Sequence, residues 1–129
     1  AIMLVLVGAA LPGDSGNEQL LPHNLVINTT ENDLKIYNVS SKTLQCNAST
    51  TVPLNYKART TMELQKSVSG GWDTQKTWTV TGGTIAGLER FPTVASGTYR
   101  LKLTHEALNS AGTSVIETII KYSDWIVVP

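Results

Sequence analysis

Along residues 57–67, KARTTMELQKS, the side chains of Ala58, Thr60, Met62 and Leu64 alternate with Lys57, Arg59, Thr61, Glu63 and Gln65. A period of two turns one set to a core and the other to water, as a half-buried strand requires. GTYRLKLTHEAL repeats the pattern, with Tyr99, Leu101, Leu103, His105 and Ala107 against Arg100, Lys102, Thr104 and Glu106. No stretch keeps a 3.6-residue apolar period for three turns, so the chain reads as all-β. The runs predicted as strands are Leu25–Asn28, Leu34–Val39, Thr43–Ser49, Lys57–Ser67, Trp72–Val80, Thr84–Phe91, Thr98–Leu108 and Ser114–Val128, the last with a break at Ser123 and Asp124. Ser69-Gly70-Gly71, Gly82-Gly83 and Asn109-Ser110-Ala111-Gly112 separate consecutive runs closely enough for hairpins. Seven or eight strands in about a hundred residues predict a β-sandwich.

The apolar pattern is different at the start, where Ile2, Met3, Leu4, Val5, Leu6 and Val7 follow one another without a polar partner. The run ends at Pro12, Gly13, Asp14 and Gly16, too early for a transmembrane helix, which needs about twenty apolar residues. A signal-peptide core has this length and ends in small residues such as Gly8, Ala9 and Ala10. As an extended strand at about 3.3 Å per residue, residues 1–11 span about 36 Å, and lack of alternation suits a strand buried on both faces. An apolar segment left in water neither orders nor stays soluble, so a cover is expected. The cover is either the domain's own core or another copy of the chain, reached through the Gly- and Pro-containing segment 14–24, which reads as a linker. The division expected is therefore 1–13 apolar strand, 14–24 linker and 25–129 sandwich domain.

Charge narrows the choice of partners. Lys plus Arg and Asp plus Glu number 10 each in 129 residues, so no broad field recruits nucleic acid or anionic lipid. Seventeen Thr and ten Ser beside only 16% charged residues give a hydroxyl-rich, strand-favouring composition common in exported proteins. Cys46 is the single cysteine, which rules out an intrachain disulfide or a multi-thiol metal site and leaves a small buried side chain as the expectation.

ASGTYRLKL followed by NSAGTS resembles the F strand, F–G turn and G strand of fibronectin type III and immunoglobulin-like domains. MELQKSVSGGWDTQKTW is similar to a hairpin of small secreted β-sandwich proteins from Gram-positive bacteria, and the order hairpin, GTYRLK, IETIIKYS also fits them. The resemblance implies an immunoglobulin-like sandwich. The chain departs from antibody domains in lacking the B–F cysteine pair, and its apolar leader is not part of the shared fold. Within such a fold Tyr99 is the candidate for a tyrosine corner, with Trp72 or Trp78 as the core tryptophan. Both tryptophans have the same strand parity, so they should share a face unless a bulge intervenes.

Catalytic chemistry finds little footing. His23 lies in the linker and His105 on the inward parity of its strand, with no second histidine or cysteine nearby, so a satisfied or rim histidine is expected. No nucleophile elbow, phosphate-binding glycine loop or HExxH occurs. Neither an enzyme, nor a metal site, nor a cofactor is expected. Asn28-Thr29-Thr30, Asn38-Val39-Ser40 and Asn47-Ala48-Ser49 match the N-glycosylation pattern. Trp72, directly after two glycines, is the candidate for stacking on a surface glycan.

These readings converge on an exported, non-enzymatic subunit, extracellular or cell-surface, that forms a head-to-tail homopolymer by donating the strand Ile2–Val7 in the manner of pilin complementation. Burial of those six side chains at about 1.5–3 kcal/mol each offers on the order of 10 kcal/mol before ordering costs. Ile116, Ile119, Ile120, Ile126 and Val128 are the residues expected to line the acceptor groove. The alternative is a monomeric secreted or surface binding domain, glycan-binding through Trp72, with the leader inserted into its own core.

Overall fold

A computed structural model describes residues 26–129; the apolar strand and the linker expected before them lie outside the described residues. Eight strands follow in order: β1 (Thr29–Asn38), β2 (Thr43–Thr51), β3 (Tyr56–Val68), β4 (Gly71–Thr81), β5 (Ile85–Arg90), β6 (Gly97–Asn109), β7 (Val115–Tyr122) and β8 (Ile126–Val128). They form two antiparallel sheets. One has the order β1-β2-β5; the other has the order β4-β3-β6-β7, with β8 continuing beyond β7 along the same edge of β6.

The alternation read along β3 and β6 holds: Ala58, Thr60, Met62, Leu64, Tyr99, Leu101, Leu103, His105 and Ala107 are all buried. Their opposite numbers across the sandwich are Leu44, Cys46, Ala48 and Thr50 of β2 with Ala86 and Leu88 of β5. Leu44, Cys46, Met62, Leu64, Leu101 and Leu103 form the main core, which Trp78, Leu34, Ile36 and Ile126 flank. A second cluster at the other end gathers Ile27, Val52, Ala58, Ala86 and Ala107. Small side chains there let the sheets approach closely enough for polar groups to meet between them.

The expected strand Leu25–Asn28 is not one over its described residues. The N–H groups of Val26 and Ile27 instead donate to Oε1 of Glu117, at 3.0 and 2.8 Å, and Ile27 fills the core end. β1 begins later, at Thr29, and its first half, TTEND, gave no apolar signal because an edge strand with mostly exposed side chains needs none.

Of the three expected hairpins, Ser69-Gly70 and Asn109–Gly112 join β3 to β4 and β6 to β7. Gly82-Gly83 does not make a hairpin: β4 and β5 belong to different sheets, and the pair carries the chain across the sandwich. The N–H of Gly82 donates to Ala58 and the N–H of Ala58 donates to Gly83, tying the crossing to β3.

A register shift between Leu64 and Gln65 leaves Gln75 without a partner and separates the tryptophans. Trp78 stands opposite Met62 and packs on the core, whereas Trp72 stands opposite Ser67 and faces outward beside Arg100. The break expected near Ser123 lies between β7 and β8, where Ser123 Oγ accepts from the Leu101 N–H at 2.8 Å in place of a strand carbonyl.

Candidate functional site

Tyr99 occupies the corner expected of it. Its ring is 2% exposed in the core, and its hydroxyl donates to the Ala95 carbonyl at 2.8 Å. Burial raises its pKa, partly offset by that bond. Cys46 is also core, and desolvation pushes its thiol up to about 12, which leaves it protonated and unreactive.

His105 meets its expectation in part: it is fully buried rather than at a rim, and one of its two ring nitrogens is hydrogen-bonded. Thr60 Oγ1 donates to the Ala86 carbonyl at 2.8 Å. Its one proton being used, it must accept from Thr50 Oγ1 at 2.7 Å, and Thr50 must in turn accept from Nδ1 of His105 at 2.8 Å. The chain therefore dictates the Nδ1–H tautomer, and Nε2 is left as a buried acceptor without a partner among the described residues. Burial, with Lys121 adding to it, pushes the imidazole down to about 4.

The five aliphatic residues expected in one groove do not share a surface. Val128 is buried and Ile126 packs on the main core; Ile119, opposite His105, packs on the second cluster. Ile116 and Ile120 are 48% and 40% exposed. They belong instead to an apolar edge that also contains Val115, Tyr122, Trp125 and Val127. No described strand pairs with the far side of β7, so among the described residues this edge combines an unextended side of the sheet with exposed aliphatic side chains. Trp125 is 63% exposed.

The outward face of the larger sheet holds two arginines in different settings. Arg59 donates from Nε to Glu106 at 2.7 Å, and this bond raises its pKa. Arg100 lies between rings: its Cζ is 4.4 Å from the Trp72 centroid and 4.2 Å from that of Tyr122. Its Nε donates to Gln65 Oε1 at 2.9 Å, Gln65 donates to Thr74 at 3.2 Å, and Thr74 donates to Glu63 at 3.1 Å. This arrangement could not be read from a strand period, since it depends on the β4 bulge. Trp72 is half-buried there, one ring face covered by the guanidinium.

On the smaller sheet, the missing side chain of Gly87 leaves an open depression of about 440 Å³ lined by Glu31, Asp33, Asn47, Ser49 and Glu89 among others. Asn47 is among its lining residues, and the amide orientation that satisfies its neighbours has its nitrogen donating to Glu89 and to the Cys46 carbonyl, each at 3.1 Å. Asn28 and Asn38 are exposed, and Asn38 Oδ1 accepts from the Ser41 N–H at 3.1 Å, closing the β1–β2 turn. Among the described residues no three His, Cys, Asp or Glu side chains gather as a metal ion would require, and no helix is long and apolar enough to cross a membrane. Comparison with protein-family models, curated proteins and solved structures finds no match.

Proposed function

We propose that the protein is an exported, non-enzymatic structural subunit of fibronectin III or immunoglobulin-like type, and that the strand Ile2–Val7 of one copy adds to the β7–β8 edge of the next. The strand orders β1-β2-β5 and β4-β3-β6-β7, with β8 extending the second, and the Tyr99 corner support the fold type. The observation that carries the assembly is the apolar edge itself, with Ile116, Ile120, Tyr122, Trp125 and Val127 each at least 40% exposed. Strand addition would satisfy the backbone groups of that edge and cover its side chains in one step. A contact between two different surfaces propagates into a filament unless it closes into a ring. Extracellular or cell-surface placement follows from this reading, with Asn28, Asn38 and Asn47 as glycan acceptors where the host modifies exported chains.

Negative-stain microscopy with light scattering tests it. The full chain is expected to form filaments. Deletion of residues 1–13, or Ile120→Lys with its circular dichroism unchanged, is expected to yield monomers. A monodisperse full chain of 13.9 kDa overturns the proposal and leaves the alternative, a monomeric binding domain with the leader inserted into its own core.

A further inference from the structure

The guanidinium of Arg100 is held on three sides. The Trp72 and Tyr122 rings approach it, their centroids 4.4 and 4.2 Å from Cζ, and Gln65, itself anchored through Thr74 to Glu63, takes the Nε–H. An arginine side chain ordinarily surrenders rotamer freedom when a ligand fixes it; here the fold has already fixed it. Yet among the described residues its terminal nitrogens have no acceptor and no carboxylate lies within ion-pair distance. Arg59, on the same face, is neutralised by Glu106. Lys102, the register partner of Tyr122 on the neighbouring strand, adds positive charge beside the clamp.

We infer that this clamp is a binding site for an acidic saccharide, with the terminal nitrogens of Arg100 donating to the sugar carboxylate. A planar fork of donors matches a carboxylate in bidentate fashion. The exposed ring of Tyr122, 51% accessible, offers a flat apolar flank for the pyranose face. Uronic-acid-type sugars combine those two features, whereas a small inorganic anion uses only the fork. Trp72 then acts as a positioning residue that braces the arginine, a different role from the direct glycan platform its sequence context suggests. The inference goes beyond the assembly reading and does not rest on it.

The test is a titration of the ¹⁵N-labelled Ile116→Lys chain, a substitution outside the clamp that keeps the protein from assembling, with trigalacturonic acid, following the Arg100 Nε–H resonance, and with its methyl ester as the neutral control. The acid is expected to shift that resonance saturably and to bind at least about tenfold more tightly than the ester, the factor expected for one lost charge-assisted bond. Arg100→Lys, which keeps the charge but loses the fork, is expected to weaken binding by a similar factor, and Trp72→Leu to weaken it without changing the preference for acid over ester. Equal binding of acid and ester, an unmoved Arg100 resonance, or a pentaglutamate peptide binding as tightly as the saccharide overturns the inference. So does an Arg100→Lys protein that melts lower but binds unchanged, since the clamp would then be structural.

Discussion

His105 ties the interior to solution pH. Its folded-state pKa of about 4 lies below the ordinary 6.5, so between those values the unfolded chain binds a proton that the folded one refuses. The stabilisation is complete above pH 6.5, declines as pH falls, and reaches its limit below about pH 4, with a loss of about 3 kcal/mol. Urea unfolding midpoints measured across that window should show this slope, and His105→Leu should flatten it. That variant strands no donor, because Thr50 still donates to Thr60 and Thr60 to Ala86. A slope equal to that of the parent would assign the acid sensitivity elsewhere. Tyr99→Phe should lower stability by about 1 kcal/mol in the same assay, the net worth of one hydrogen bond to a carbonyl that water can reach. The inward direction of both residues was readable from strand parity. The orphaned Nε2 was not, since it arises from Thr50 and Thr60, residues whose local sequence gives no sign of meeting a histidine.

Elements and their junctions show where periodicity stops being informative. Gly82 and Gly83 look equivalent in sequence, yet a Cβ on Gly82 would lie 2.1 Å from the Ile85 carbonyl oxygen, while one on Gly83 would meet nothing within 4 Å. Gly82→Ala should therefore cost more than about 2 kcal/mol, because rigid backbone must move, and Gly83→Ala should be nearly neutral; thermal melting of the two variants checks the contrast. Ser123→Ala should cost about 1–3 kcal/mol by leaving the Leu101 N–H without its acceptor. The same logic explains the tryptophans. Equal parity predicted a shared face, and one extra residue in β4 reversed Trp72 relative to Trp78. A bulge of this kind depends on how β3 and β4 are paired, and nothing in GWDTQKTW alone marks its position.

At the scale of the molecule, the sandwich leaves the two surfaces proposed above on one sheet: the clamp around Arg100 on its outward face and the apolar β7–β8 edge at its side, with Tyr122 common to both. Tyr122→Ser should accordingly weaken saccharide binding and filament formation together, whereas Ile116→Lys should affect filaments alone; light scattering and the saccharide titration on the same samples distinguish these outcomes. By itself, the order of residues determined the all-β class, nearly every strand, and the inward faces of β3 and β6, Tyr99 among them, because side-chain period and turn chemistry are local properties of the chain. Only the tertiary structure decided which strands share a sheet, that Gly82-Gly83 is a crossing, that the C-terminal isoleucines divide between core and edge, and that Arg100 lies between two rings. Those outcomes depend on pairings between residues distant in sequence, where burial energy is shared among partners that no local window contains.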